Sequence, residues 1–217
     1  MPFNVTAKNV ALDGLDESAS AGIKYVGVHQ VSDPGTGATA NAGEANGGSP
    51  AYARVAVTWG ASASGQKTNT NAFAIDVPAG SYAFITLWNT ASGNTGTQYL
   101  GYLPLNGTVK GVGTVDSAGV TSDAIQSAAH GLANNDRVML FKVLGESLPA
   151  GLSEGTIYYV VSATTDTFKV SQTSGGSAEN ITGQGELYFQ KVVPETFNAQ
   201  GQITVAAGAL VLDATAL

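Results

Sequence analysis

His130 and Asp136 are the residues of this 217-residue chain whose types and spacing come nearest to a catalytic arrangement. A nucleophilic triad would add an activated nucleophile and an oxyanion site to such a pair. The sequence has no cysteine and no Gly-x-Ser-x-Gly elbow, so it offers neither of the usual nucleophile settings. We therefore predict that His130 ends a strand, that its ring hydrogen-bonds a backbone carbonyl, and that it is not catalytic.

Metal and phosphate patterns are equally sparse. His29 and His130 are the only histidines, so a multi-histidine metal set cannot form. The acidic residues fall mostly in expected turns, with neither a facing glycosidase pair nor an Asp-x-Asp-x-Asp calcium run. Gly111-x-Gly113 and Gly183-x-Gly185 do not lead into a helix, which predicts turn or bulge glycines rather than phosphate loops. The sequence predicts a non-enzymatic protein with no cofactor and no metal.

Aromatic residues leave room for binding by surface contact. Trp59 and Trp88 fall in alternating stretches and are predicted to be core residues. Tyr52 and Arg54 are candidates for contact with a neighbouring subunit, because aromatic residues and arginine dominate interfaces. Phe3, at the apolar start of the chain, is a third interface candidate. Six side chains could alternatively form a sugar-stacking platform: Tyr52, Trp59, Tyr82, Trp88, Tyr99 and Tyr102.

Composition narrows the class of partner. Only 12% of the residues are charged, about half the usual share, and glycine is abundant at 28 residues. This is typical of many short strands joined by turns. Composition alone leaves two interpretations open: a small β protein with unremarkable loops, and a protein that is packed in an assembly. The nine lysines and arginines are scattered and the net charge is −7, so we expect no nucleic-acid partner.

Membrane insertion and export are not expected either. No window approaches about 18 consecutive apolar residues, the length needed to span a bilayer. The first residues lack the basic and apolar regions of a signal peptide. The absence of cysteine suits a reducing compartment, so we expect synthesis in a cytoplasm.

The secondary-structure pattern predicts an all-β fold with at most one short N-terminal helix. Thr6 is the expected helix cap, followed by a loose apolar side of Val10, Leu12 and Leu15. Residues 32–49 are expected to form a long loop without an apolar anchor. Two strand pairs are predicted from turn signals: 72–77 with 82–88, and 202–205 with 209–212.

Residues 108–192 have a different character and predict a separate module. They contain four apolar runs, at 138–141, 157–161, 168–170 and 187–189. These predict five or six strands at roughly ten-residue spacing, which suits a small β-barrel or compact sandwich. The flanking parts, 1–107 and 193–217, do not supply complete sheets alone. We infer a discontinuous, β-sandwich-like outer domain made of both flanks, interrupted by the inserted module at a loop tip.

The outer part contains a series of short motifs: Gly47-Gly48-Ser49-Pro50-Ala51-Tyr52-Ala53-Arg54, Val57-Thr58-Trp59, Phe73, Asp76-Val77-Pro78-Ala79-Gly80, Leu87-Trp88, Glu195-Thr196-Phe197, Gln200-Gly201 and Ile203-Thr204-Val205. In these motifs it resembles a family of actinobacteriophage tail-fibre or minor tail proteins. In that family the Glu-Thr-Phe strand follows soon after the counterpart of residues 99–105. Here about 90 residues intervene, which supports the insertion.

The inserted part has its own motifs: His130-Gly131-Leu132, Asp136-Arg137-Val138, Leu148-Pro149-Ala150-Gly151-Leu152, Gly155-Thr156, Tyr158-Tyr159-Val160 and Asp166-Thr167-Phe168. In these motifs it resembles a module that recurs in phage fibre and other virion proteins. The two resemblances imply a non-enzymatic structural protein on the outer surface of a tailed-phage virion, as a minor tail, fibre-type or capsid decoration protein. Its expected partners are other virion proteins and further copies of itself.

A second function class remains open from the sequence. The chain could be a host receptor- or glycan-binding module at the tail that uses its loop tips. In either case we expect the outer domain to attach to the particle and the inserted module to extend outward as a knob.

Overall fold

The computed structural model describes residues 4–32, 34, 43–93, 97–106, 109–143 and 146–214. The protein is mostly β, with 40% of its residues in strands and 8% in helices. Its elements, in chain order, are α1 Val5–Asp13, β1 Tyr25–Gln30, β2 Val55–Ala56, β3 Gln66–Thr68, β4 Phe73–Val77, β5 Gly80–Trp88, β6 Tyr99–Pro104, β7 Lys110–Val115, α2 Ser117–Ser122, β8 Ile125–Gln126, β9 Arg137–Lys142, β10 Ile157–Val161, β11 Thr167–Ser171, β12 Gly185–Val192, β13 Glu195–Phe197, β14 Gly201–Val205 and β15 Val211–Asp213. The predicted all-β class is confirmed.

The chain forms two compact units. Unit 1 comprises residues 1–103 and 195–217, and unit 2 comprises residues 104–194. The predicted limits of the inserted module, 108 and 192, fall within unit 2. Its first and last strands, β7 and β12, pair antiparallel, with Lys110 opposite Gln190. The chain therefore enters and leaves unit 2 at the same end of that strand pair.

The largest sheet of unit 1 is built around β5. β5 pairs with β1 along most of its length and with β13 near its start, and β6 also pairs with β5. From Tyr82 to Trp88 every residue of β5 is buried. A continuous uncharged run of this kind is what a strand covered on both faces requires.

Both strand pairs predicted from turn signals in unit 1 are wrong. β4 pairs with β14, Ile75 lying opposite Ile203, and β5 belongs to the larger sheet. β15 pairs with β3, Leu212 lying opposite Lys67. A turn signal fixes where the chain reverses, but burial of the apolar faces decides which strands meet.

Asn69 explains why β14 and β15 do not form a hairpin with each other. Its buried side chain donates to the carbonyls of Asn71 (2.7 Å) and Ala206 (3.0 Å) and accepts from the Leu210 amide (2.9 Å). Its backbone carbonyl also accepts from the Gly208 amide at 2.8 Å. The bend at residues 206–210 is therefore wrapped around Asn69, and β14 and β15 follow β4 and β3 on either side of it.

Helix α1 begins one residue before the predicted cap. The Asn4 side chain accepts from the Ala7 amide at 2.8 Å, so Asn4 is the N-cap and Thr6 lies in the first turn. Leu12 is the buried residue of the helix, whereas Val10 is 68% exposed. The predicted apolar side of the helix is thus reduced to one inward residue.

Unit 2 is a closed barrel of six antiparallel strands in the order β7-β8-β11-β10-β9-β12, which confirms the predicted small barrel. Its buried core comprises Val115, Ile125, Leu132, Val138, Leu140, Leu152, Tyr158, Val160, Phe168, Val170, Ile181, Leu187 and Phe189. A short second helix, α2, adds to the one that was predicted. The Asp116 side chain caps it by accepting from the Gly119 amide at 2.7 Å.

Two glycines make room inside this barrel. Gly111 and Gly113 lie in β7, opposite Phe189 and Leu187 of β12. A Cβ at Gly111 would lie 2.8 Å from the Phe189 ring, and one at Gly113 would lie 2.5 Å from the Ile125 side chain. The turn or bulge role predicted for these two glycines is therefore wrong, because they are inward-facing strand residues opposite large side chains.

Candidate functional site

Tyr52 and Arg54, two of the predicted interface residues, converge on the carboxylate of Glu44. Arg54 donates from Nε to Oε1 at 2.6 Å and from Nη2 to Oε2 at 2.7 Å, a bidentate ion pair. The Tyr52 hydroxyl donates to Oε1 at 2.7 Å and accepts from the Val28 amide at 3.1 Å. We call Glu44, Tyr52, Arg54 and Trp88 the Glu44 cluster.

Trp88 contributes the aromatic surface of the Glu44 cluster. The Arg54 guanidinium lies 3.3 Å from the centroid of the Trp88 ring, a close cation–π contact. Its remaining hydrogens reach the carbonyls of Thr90 (3.4 Å) and Gly93 (2.9 Å). Arg54 therefore joins the segment that follows β5, at Thr90 and Gly93, to Glu44.

The Glu44 cluster is closed to solvent. The side chains of Arg54 and Glu44 are only 5% and 9% exposed. Burial, together with the Glu44 charge, raises the pKa of the Tyr52 hydroxyl, so this group stays protonated and acts as a donor. A buried ion pair of this geometry is stabilised by its full set of hydrogen bonds, and either charge alone would be costly.

Gly27 in β1 leaves the space that the Glu44 cluster occupies. A Cβ at this position would lie 2.5 Å from the Tyr52 hydroxyl oxygen and 2.8 Å from Glu44 Oε1. Glu44 is itself held beside β1 by a bridge to His29. The cluster is thus built into the sheet of unit 1.

The interface role assigned to Phe3, Tyr52 and Arg54 stays a prediction. Phe3 lies outside the described residues. The polar groups of Tyr52 and Arg54 are engaged within the chain, so their types and spacing already have an intrachain explanation.

The two distant segments that carry the outer resemblance touch each other. The Gln200 side chain accepts from the Ser49 amide at 3.2 Å and donates to the Pro50 carbonyl at 3.2 Å. Gly48, with φ of +89°, lies directly against the Gln200 amide group. Residues 150 positions apart in sequence are therefore joined in one corner of unit 1.

A second buried charge, Lys67, was missed by sequence reasoning. Its fully buried amine donates to Asp13 Oδ1 (3.0 Å), Asp16 Oδ2 (3.1 Å) and the Gly60 carbonyl (2.8 Å). Hydrogen bonds from Ser62 and from Lys67 lower the pKa of Asp13 to about 2. Desolvation opposes ionisation of Lys67, but the hydrogen bonds to Asp13 and Asp16 still raise its pKa. This arrangement fastens the C-terminal end of α1 to β3.

His130 has the surroundings that the sequence predicted, although it lies in the loop before β9 and not at a strand end. Its Nε2 hydrogen-bonds the Thr167 carbonyl at 3.2 Å, and its Nδ1 accepts from the Leu132 amide at 3.0 Å. These contacts place the proton on Nε2. Asp136 accepts from the Ala133 amide and pairs with Lys191 at 2.8 Å. His130 therefore joins its loop to β11 at Thr167, and Asp136 joins the same loop to β12 at Lys191.

Most of the possible sugar-stacking platform is buried. Trp59, Tyr82, Trp88 and Tyr99 are between 0% and 8% exposed, which confirms the core prediction for the two tryptophans. Trp59 also donates from its indole nitrogen to the Ile23 carbonyl at 2.9 Å. These four rings cannot stack on a sugar without disruption of the fold.

Among the described residues, no three histidine, cysteine or acidic side chains lie close enough together to hold a metal ion. Neither described helix has the length and apolar character needed to cross a bilayer. No family model, curated protein or solved structure matches the chain. The Glu44 cluster joins an ion pair, a hydroxyl group and an aromatic ring, and each of these contacts holds unit 1 to itself.

Proposed function

We propose that this chain is a non-enzymatic structural protein on the outer surface of a tailed-phage particle, bound to other virion proteins through unit 1. The supporting observation is that residues that carry the resemblance in unit 1 contact one another. Arg54 and Trp88 meet in the Glu44 cluster, and Gln200 bridges to Ser49 and Pro50. A catalytic motif would direct such polar groups into a cleft, whereas these groups bind one another and hold a surface in shape.

The use of charge in unit 1 also favours assembly. Its four cationic side chains belong to Lys8, Lys24, Arg54 and Lys67. Arg54 and Lys67 are sealed in ion pairs, leaving the half-buried Lys8 and Lys24 as the other two. Unit 1 also has eight acidic residues, of which Asp13, Asp16 and Glu44 belong to the same ion pairs. Few lysines are therefore present at its surface, and protein interfaces are depleted in lysine.

The experiment that tests this function locates the protein. Particles purified from infected cells are labelled with a gold-conjugated antibody against the chain, and its copy number is measured by quantitative mass spectrometry. We expect label on the outer surface and a copy number that matches the symmetry of the head or tail. Presence in infected cells combined with absence from purified particles would contradict the proposal.

A further inference from the structure

Unit 1 has open sheet edges, whereas the described strands of unit 2 close into a barrel. An open edge presents unpaired amides and carbonyls that can pair with another chain, unless charge, proline or short length prevents it. β14 is such an edge: within the described part of the chain it pairs with β4 alone, and no other backbone hydrogen bond there reaches it. Gln202 and Thr204 of this strand are exposed.

β14 differs from the other strands of unit 1 that could offer an edge. It reads Gly201-Gln202-Ile203-Thr204-Val205, with no charge and no proline. The others carry a charge (Lys67 in β3, Asp76 in β4, Glu195 in β13, Asp213 in β15), end in Pro104 (β6), or have only two residues (β2). Charges and prolines on an edge strand are common means of preventing it from pairing with another chain, so β14 is the least protected of these strands.

Self-pairing of β14 is sterically and chemically consistent. If two copies pair antiparallel about a two-fold axis at Ile203, Gln202 of one copy lies opposite Thr204 of the other. Both side chains are exposed and uncharged. The Gln202 amide nitrogen donates to Asp76 Oδ1 in β4 at 2.9 Å, and the amide oxygen can accept from the Thr204 hydroxyl of the other copy. The Ile203 side chain is 2% exposed and stays in the core of its own unit. The two β4–β14 pairs would then form one four-stranded sheet.

We propose that β14 is a pairing edge for a second copy of this chain, joined antiparallel about a two-fold axis at Ile203. This inference goes beyond the proposed function, because it names a specific partner and can be tested without a particle. A five-residue edge buries less surface than the about 1,200 Å² of stable complexes, so the pairing is weak in dilute solution. A regular array of copies would supply the local concentration that it needs.

The register can be tested with single cysteines, because the natural chain has none. Purified full-length Gln202→Cys and Thr204→Cys proteins, one of them mass-tagged, are oxidised separately and as an equal mixture. Opposed residues lie within disulfide reach but like residues are diagonal, so unlike chains should cross-link at least about tenfold faster than like chains. Val112→Cys, an exposed position in the closed barrel, is the control. Mixed with either of the other two variants, it should cross-link to both at the same rate. Equal rates for like and unlike pairs would overturn the proposal.

A charge-swap series tests the same contact by affinity. The Gln202→Lys/Thr204→Lys double variant sets like charges face to face, and we expect its self-association constant to fall about tenfold or more in sedimentation equilibrium. The Gln202→Lys/Thr204→Glu variant sets opposite charges face to face and should recover the association. Circular dichroism and unfolding midpoints establish that all variants are folded. Unchanged association of the Lys/Lys variant would refute the pairing.

Discussion

The most specific side-chain chemistry in this protein binds the chain to itself. Glu44 and Arg54 form a bidentate ion pair in which each side chain is less than 10% exposed, and the Trp88 ring covers the guanidinium. Lys67 is likewise sealed against two aspartates. At the scale of single residues, these buried ion pairs hold the fold together. The predictions for them therefore concern the free energy of unfolding.

Arg54→Ala should lower the free energy of unfolding by about 3–5 kcal/mol, because it leaves the Glu44 carboxylate buried without its cation. Chemical denaturation followed by far-ultraviolet circular dichroism, which reports the strands of both units, measures this. Arg137→Ala is the matched control: its guanidinium lies 5.5 Å from the Tyr159 ring centroid at the barrel surface, so we expect a loss of about 1 kcal/mol or less. Equal effects of the two substitutions would contradict the role assigned to the Glu44 cluster.

Asp13 should make stability fall in acid. Its pKa is lowered in the folded protein from 3.8 to about 2, so its contribution is present above pH 3.8 and is lost as the pH falls through 2. Asp13→Asn should flatten the pH dependence of the unfolding free energy over this window. Glu186→Gln, at an exposed carboxylate in the barrel, should leave the dependence unchanged. An unaltered acid profile in Asp13→Asn would show that the Lys67 contacts do not stabilise the fold.

Sequence alone could predict residues whose role is set locally. The alternating pattern around Trp59 and Trp88 predicted core positions, and the missing catalytic partners predicted a carbonyl-bound His130. Lys67 could not be found this way, because its aspartates precede it by 51 and 54 residues. Only the folded chain brings them together.

At the scale of elements, the barrel was predictable and the pairing in unit 1 was not. Four of the six strands of unit 2, β9, β10, β11 and β12, contain an apolar run, and neighbouring strands in a small closed barrel have few alternative partners. In unit 1, β4 and β14 are separated by more than 100 residues, and the Asn69 side chain determines the bend at residues 206–210. Turn residues alone do not encode such long-range pairing.

Residues 104–194 should fold alone, because their six strands close on themselves. We expect a dispersed amide NMR spectrum from this fragment. A chain of residues 1–103 should not fold, because it lacks β13, β14 and β15, which pair with β5, β4 and β3. Joining residues 1–103 to 195–217 by a short Gly-Ser linker should restore folding. A disordered spectrum for residues 104–194 would show that the barrel depends on unit 1.

At the scale of the whole molecule, the two units divide the work expected of a surface protein. Unit 1 holds the buried ion pairs, the uncharged β14 edge and the residues of the outer resemblance. Unit 2 is a closed barrel, and the chain enters and leaves it at the same end of the β7–β12 strand pair. This division predicts that attachment to the particle resides in unit 1 and that the barrel is dispensable for it.

Deletion of the barrel from the phage-borne protein tests this account most directly. Residues 104–194 are replaced by a short Gly-Ser linker, and purified particles are assayed for the shortened protein by quantitative mass spectrometry. The account predicts incorporation at the copy number of the full-length protein, because unit 1 retains its sheet and its edge. Loss of incorporation by a shortened protein that is still folded and soluble would contradict it and would make the barrel the anchor.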